Sequence, residues 1–215
     1  MPFDGQYNQG GASVWVWRIT ETADELSFLV DEGCAAYARD AFTSEKRRAE
    51  WLAVRAVLAR KLPGARIVYD DAGKPLLEGA HGHLSVSHTG GYAVVAFSPE
   101  CEVGVDVELV LRDVLSASRR FMSQGVLEAL PSAERNRAAL VDWCAKEALY
   151  KITGDLGGNF KENISVECPA VEESGRFALS LVGLDYAGEL LYVADYSFYD
   201  DLLVVLCRRR CDVLR

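Results

Sequence analysis

The sequence predicts an α+β protein, and three patterns carry that prediction. Short alternating apolar segments, several in hairpin spacing, read as strands. Two long stretches, one opening near Ser44 and one near Pro131, carry helical spacing instead. The order strand, helix, hairpin-like strands recurs in the two halves, which points to a pseudo-duplication, although no residue-level repeat accompanies it. A chain of 215 residues suffices for one large domain or two small halves sharing a core.

In chain order, residues 1–12 are Gly-rich and are expected to be disordered or loosely docked. SVWVWRI (13–19) alternates and is rich in aromatic and β-branched residues, hence a strand. Asp24 to Ala38 has a modest helical pattern. Thr43 or Ser44 then caps the clearest helix of the first half, with Trp51, Leu52, Val54, Val57, Leu58 and Leu62 as its apolar stripe. Arg48, Arg55 and Lys61 fall on or beside the opposite face, and Pro63-Gly64 stops the helix. A short strand (67–69) and the turn Asp70-Asp71-Ala72-Gly73 lead to Lys74-Pro75. Because Pro75 holds the chain extended, Lys74 sits at a rigid loop edge, suited to an anion or simply solvated. Leu84 to Ser98 reads as strand, Gly-Gly turn and strand, with Ser87-His88-Thr89 at the tip. Adjacent Ser87 and His88 point apart on a strand and make a poor catalytic pair; a phosphate-binding tip suits them better.

CEVGVDVEL (101–109) is the next strand. Val103, Val105 and Val107 take one face; Asp106 and Glu108 share the other, beside the gap left by Gly104. Two carboxylates on one pleat face can grip a hard divalent cation, although a solvent-facing edge strand shows the same alternation. Val110 to Gly125 looks helical. The longest helix runs from Pro131-Ser132 to about Thr153, and along it Trp143, Glu147 and Lys151 recur every fourth residue on one face, with Lys146 and Tyr150 beside them. Read alone, Glu147 and Lys151 are a helix salt bridge. Strands follow at 164–166, 176–182, 190–196 and 202–207.

Composition narrows the function. A net charge of -9 argues against nucleic-acid binding. No apolar run spans a bilayer and the N-terminus does not read as a signal peptide, so a cytoplasmic location is expected. The six cysteines show no CxxC pair and read as reduced, structural residues.

Taken together, EWLAVR (50–55), GKP (73–75), SVSHT (85–89), VGVDVE (103–108) and WCAKEALYK (143–151) resemble a 4′-phosphopantetheinyl transferase. The resemblance is to the larger, single-chain class that serves peptide and polyketide synthases. It implies two α/β lobes, 1–105 and 106–215, forming a pseudo-twofold pair of small antiparallel sheets, each packed by a long helix, with the active site in the cleft. It implies coenzyme A (CoA) as substrate, Mg²⁺ (or Mn²⁺) as cofactor, an apo acyl or peptidyl carrier protein as acceptor, and a monomer as sufficient. By the same resemblance Asp106, Glu108 and Glu147 hold the metal, while Glu147 and Lys151 act as base and acid. Lys74, Ser87, His88, Lys146 and Lys151 meet CoA phosphates. One of Arg47, Arg48 and Arg55 meets the 3′-phosphate, Arg48 being the first choice. Carrier docking is expected at Arg119, Arg120, Phe121 and Met122. A Mg²⁺-dependent pyrophosphate hydrolase and a catalytically idle carrier-binding relative are the alternatives.

Overall fold

The structure, a computed structural model, describes residues 3–9, 11–154, 160–166, 172–182 and 191–209. It is a mixed helix and sheet protein whose strand pairs are antiparallel. The chain divides into two compact units, Met1–Glu100 and Cys101–Arg215.

In the first unit β1 (Phe3–Gln9) and β2 (Ala12–Arg18) form a hairpin. They are followed by α1 (Ala23–Ser27), α2 (Glu32–Ala41) and α3 (Glu45–Lys61). Then come β3 (Arg66–Tyr69), β4 (Pro75–Glu78), β5 (His83–Thr89) and β6 (Tyr92–Ser98). The main sheet has the order β1-β2-β6-β5, and β3 pairs with β4 separately. Gly90 and Gly91, with φ of 49° and 88°, make the tight β5–β6 turn that a residue with a Cβ resists. Ser44 caps α3 by accepting the Arg47 N–H, and the helix packs Leu52, Ala53 and Val57 into a core shared with Trp15, Trp17 and Val95.

Two expectations change here. Within the Gly-rich N-terminus, Phe3–Gln9 is a strand: antiparallel pairing to β2 satisfies one edge of its backbone whatever its composition, and Gly11 (φ 85°) lies in the hairpin turn. The helix expected over 24–38 is two helices, because Asp31 accepts the Cys34 N–H and caps a new start.

In the second unit β7 (Val103–Leu109) leads through a 3₁₀ turn (Ser118–Arg120) and α4 (Gln124–Ala129) to α5 (Arg135–Thr153). α6 (Phe160–Asn163), β8 (Ile164–Val166), β9 (Ser174–Leu181), β10 (Leu191–Tyr199) and β11 (Leu202–Arg209) complete it. The sheet order is β7-β11-β10-β9-β8. Ala145, Ala148 and Leu149 of α5 are fully buried with Leu203, Val205 and Cys207 of β11 in one core. Burying a side chain such as Leu149 is worth about 2–3 kcal/mol.

The segment 110–125 is mostly not helical. Asp113 takes the Leu115 N–H, and Asn136 accepts from Val114 and donates to the Arg112 carbonyl, so side chains satisfy the backbone that a helix would have paired. α5 accordingly begins at Arg135, after Pro131-Ser132. Cys34, Cys144 and Cys207 are free thiols, but Cys101 is disulfide-bonded, against the expectation of reduced cysteines. Among the described residues no helix is long and apolar enough to cross a membrane.

Candidate functional site

Gly104 sets the geometry of the second unit. A Cβ on it would lie 1.8 Å from the Ala148 carbonyl oxygen, so only glycine lets α5 lie this close on β7. That approach brings the Lys151 ammonium to the strand. Its Nζ donates to Asp106 Oδ1 at 2.8 Å and to the Val105 carbonyl at 2.7 Å. Asp106 and Glu108 are both buried; Arg112, one helical-type turn beyond, pairs with Glu108. Burial, and then the Asp106 charge, raise the Glu147 carboxyl above its ordinary range, while Lys151 and Arg112 act the other way. Cys144 is fully buried nearby; burial and Asp106 push its thiol well up, so it is an unreactive packing residue.

Asp106 thus meets Lys151 directly and acts on Glu147 through its charge. The side chains do not, however, form a cation cage. Among the described residues no group of three His, Cys, Asp or Glu stands close enough to hold a metal. Asp106 and Glu108 have ammonium and guanidinium partners instead. In donor chemistry the set still fits a hard cation, since all three are carboxylates and the Asp106 charge already disfavours ionisation of Glu147.

Lys146 departs from its expected role at a phosphate. It is buried, its Nζ donates to the Phe121 carbonyl, and it meets Asp142 Oδ2 at 2.9 Å as a charge contact lacking the geometry of a directional hydrogen bond. Burial raises the Asp142 carboxyl, with Lys146 opposing. The pair ties the segment before α4 to α5. Phe121 and Met122 are core residues, 2% and 3% exposed, so the docking surface expected there loses its apolar half. Arg119 and Arg120 remain exposed.

In the first unit the expected phosphate residues divide. His88 Nε2 lies 3.0 Å from Arg47 Nη1, and its Nδ1 lies 3.6 Å from Glu50 Oε2. Ser87 is buried in the same strand, and Lys74 follows a turn in which Asp70 accepts the Ala72 and Lys74 N–H groups. Arg48 is paired with Glu45 at 2.7 Å. Arg55 is buried, contrary to its expected place on the outer face. Its guanidinium stacks 3.6 Å from the Trp51 ring centroid and donates to Tyr69 Oη at 2.8 Å, on the wall of a cavity of about 440 Å³ that Tyr37 and Cys34 also line. Arg47, rather than the first choice Arg48, is thus the arginine at His88. Sequence reasoning missed Glu50, Arg112 and Asp142; each stands three or four residues from an oppositely charged partner, a spacing too common to single out.

The 4′-phosphopantetheinyl transferase superfamily profile matches residues 102–207, the stretch that contains the β7 acids and the α5 face. Residues 102–207 belong to the 4′-phosphopantetheinyl transferase superfamily. A putative 4′-phosphopantetheinyl transferase of Synechocystis is 36% identical over 48% of this chain and 47% of its own length. The 4′-phosphopantetheinyl transferase AcpT of Salmonella typhimurium is 33% identical over 56% of this chain and 65% of its own. HetI of Nostoc, also a 4′-phosphopantetheinyl transferase by name, is 26% identical over 66% and 69%. The chain thus spans about half to two thirds of these transferase relatives.

Proposed function

We propose that the protein transfers the 4′-phosphopantetheine arm of CoA to a serine of an apo acyl or peptidyl carrier protein, with Mg²⁺, releasing adenosine 3′,5′-bisphosphate. The observation that carries this reading is the contact of α5 with β7 at Gly104, which couples Glu147 and Lys151 to Asp106. The proposal assigns CoA phosphate contacts to the first unit and the metal and proton-transfer residues to the second, in a fold of two related lobes.

The serine oxygen bonds to the phosphorus bearing pantetheine as the pyrophosphate P–O bond breaks. Such a transfer needs positioning and charge neutralisation more than a protein nucleophile. Glu147, made more basic by burial and by Asp106, accepts the serine proton directly or through a water. Lys151 neutralises the leaving phosphate and can return a proton to it. Bound by Asp106, Glu108 and Glu147, Mg²⁺ would supply Lewis-acid stabilisation of the phosphate oxygens. Arg47, His88, Ser87 and Lys74 hold phosphates of CoA, and the Arg55 cavity, with its aromatic walls, suits the adenosine end.

The test is a panel of apo carriers incubated with CoA and Mg²⁺ and read by intact mass. A gain of the phosphopantetheine mass is expected, lost in Asp106→Ala and Glu147→Ala. Full activity in Glu147→Ala would remove the mechanism. Release of adenosine bisphosphate without an acceptor would favour the hydrolase reading, and CoA binding without transfer to any carrier the idle one.

A further inference from the structure

Glu50 is 6% exposed, and its carboxylate stands between two helix cations and one imidazole. Arg47 Nη1 lies 3.4 Å and Lys46 Nζ 3.9 Å from it on α3, and His88 Nδ1 lies 3.6 Å away on β5. Arginine has donors only, so the 3.0 Å contact makes His88 Nε2 the acceptor and leaves the imidazole proton on Nδ1, facing Glu50. A neutral ring can accept from Arg47; an imidazolium cannot, because both of its nitrogens are then donors, and the two like charges would also abut. The charged groups described at His88 include Arg47 and Glu50 of α3, and Lys46 also approaches the Glu50 carboxylate; the cross-strand partner of His88 on β6 is Ala93.

We infer that Glu50 is a positioning residue that couples anion capture by Arg47 and His88 to proton uptake at His88. An arriving phosphate draws Arg47 off Nε2, and a proton from solvent takes the freed nitrogen. The ring then donates from both sides, to the phosphate through Nε2 and to Glu50 through Nδ1. The buried carboxylate is the counter-ion that makes the imidazolium tolerable. The inference rests on the reading that this pair meets a phosphate of CoA.

The experiment is calorimetric titration of the full chain with adenosine 3′,5′-bisphosphate and with CoA, in two buffers of different ionisation enthalpy, about one unit above the ordinary imidazole pKa of ~6.5. Binding should take up a measurable fraction of a proton. Glu50→Gln keeps the shape and a hydrogen-bond acceptor but drops the charge; it should lose most of the uptake and bind several-fold more weakly. Glu50→Asp should restore part of both, and serves if the glutamine variant is poorly folded. Binding without uptake, or uptake unchanged in Glu50→Gln, overturns the inference and leaves the transferase reading standing. Failure of both ligands to bind counts against that reading instead. The imidazole ¹⁵N spectrum of the unliganded protein then decides the pairing: Nδ1–H is expected, and an Nε2–H ring would sink it.

Discussion

Gly104→Ala tests the physical core of the site. The added carbon would start 1.8 Å from the Ala148 carbonyl oxygen, whereas real Cβ contacts essentially never fall under 3.0 Å. The helix or the strand must therefore retreat by about 1.2 Å, and a backbone oxygen cannot rotate aside as a side-chain end could. Overpacking of this kind costs about 1–3 kcal/mol, and each kcal/mol lowers Tm by roughly 2–4 °C in a chain of this size. The larger effect falls on chemistry. Lys151 reaches Asp106 at 2.8 Å and Val105 at 2.7 Å, contacts that a 1.2 Å shift breaks. Misplacement by about 1 Å can cost a reaction ~10²-fold. Carrier modification followed by intact mass should thus fall about a hundredfold while the melt falls by only several degrees. A Gly104→Ala protein with unchanged Tm and unchanged transfer would refute the claim that this close approach builds the site.

Four further outcomes follow from the same structure. Glu147→Gln should abolish transfer yet stabilise the fold: a carboxyl raised in the folded state costs stability as pH rises above its ordinary value of 4.5, so the variant should melt higher at neutral pH and no higher below that value. Cys34, raised to about 11 by burial and Asp31, should alkylate slowly near pH 8, where about one thiol in a thousand is ionised, and the buried Cys144 and Cys207 more slowly still; rapid labelling of any of them in a peptide map would contradict this. Reversing the charge of Arg119 and Arg120 should raise KM for the carrier and leave CoA affinity unchanged; unaltered carrier kinetics would exclude them from docking. Lys151→Met removes the ammonium from Asp106, so Mg²⁺ should raise the melting temperature of the variant more than that of the parent; no Mg²⁺ effect on either protein would count against a cation site at Asp106, Glu108 and Glu147.

What could be read from the chain follows from how local each signal is. Strand β7 was legible because period-two alternation separates Val103, Val105 and Val107 from Asp106 and Glu108 without help from the rest of the fold. The α5 face was legible because Trp143, Glu147 and Lys151 repeat at helical spacing. Strand β1 was not, since pairing to β2 rather than its own composition makes it a strand. Nor was the irregular path from Val110 to Ser123, whose backbone is satisfied by Asn136 from far along the chain. The burial of Lys146 was hidden for a related reason: a lysine beside a catalytic-looking glutamate reads as a ligand contact until Asp142 and the Phe121 carbonyl are seen to hold it.

The ion pairs around Asp106 and Glu108 fit the proposed reading once the cost of burial is considered. Buried carboxylates without compensation are expensive, by several kcal/mol each, so a strand carrying them needs resident cations before any ligand arrives. Lys151 and Arg112 supply that charge. Both sit on flexible stems, and Arg112 is half exposed, so either can swing away without disturbing the backbone. At Glu147, Lys151 and Arg112 act against burial and the Asp106 charge but do not outweigh them, so its carboxyl is raised. A site built this way keeps two acids neutralised for folding and a third poised to take a proton. Phosphoryl transfer to a hydroxyl asks for that division of labour, and a plain helix salt bridge between Glu147 and Lys151 would not produce it.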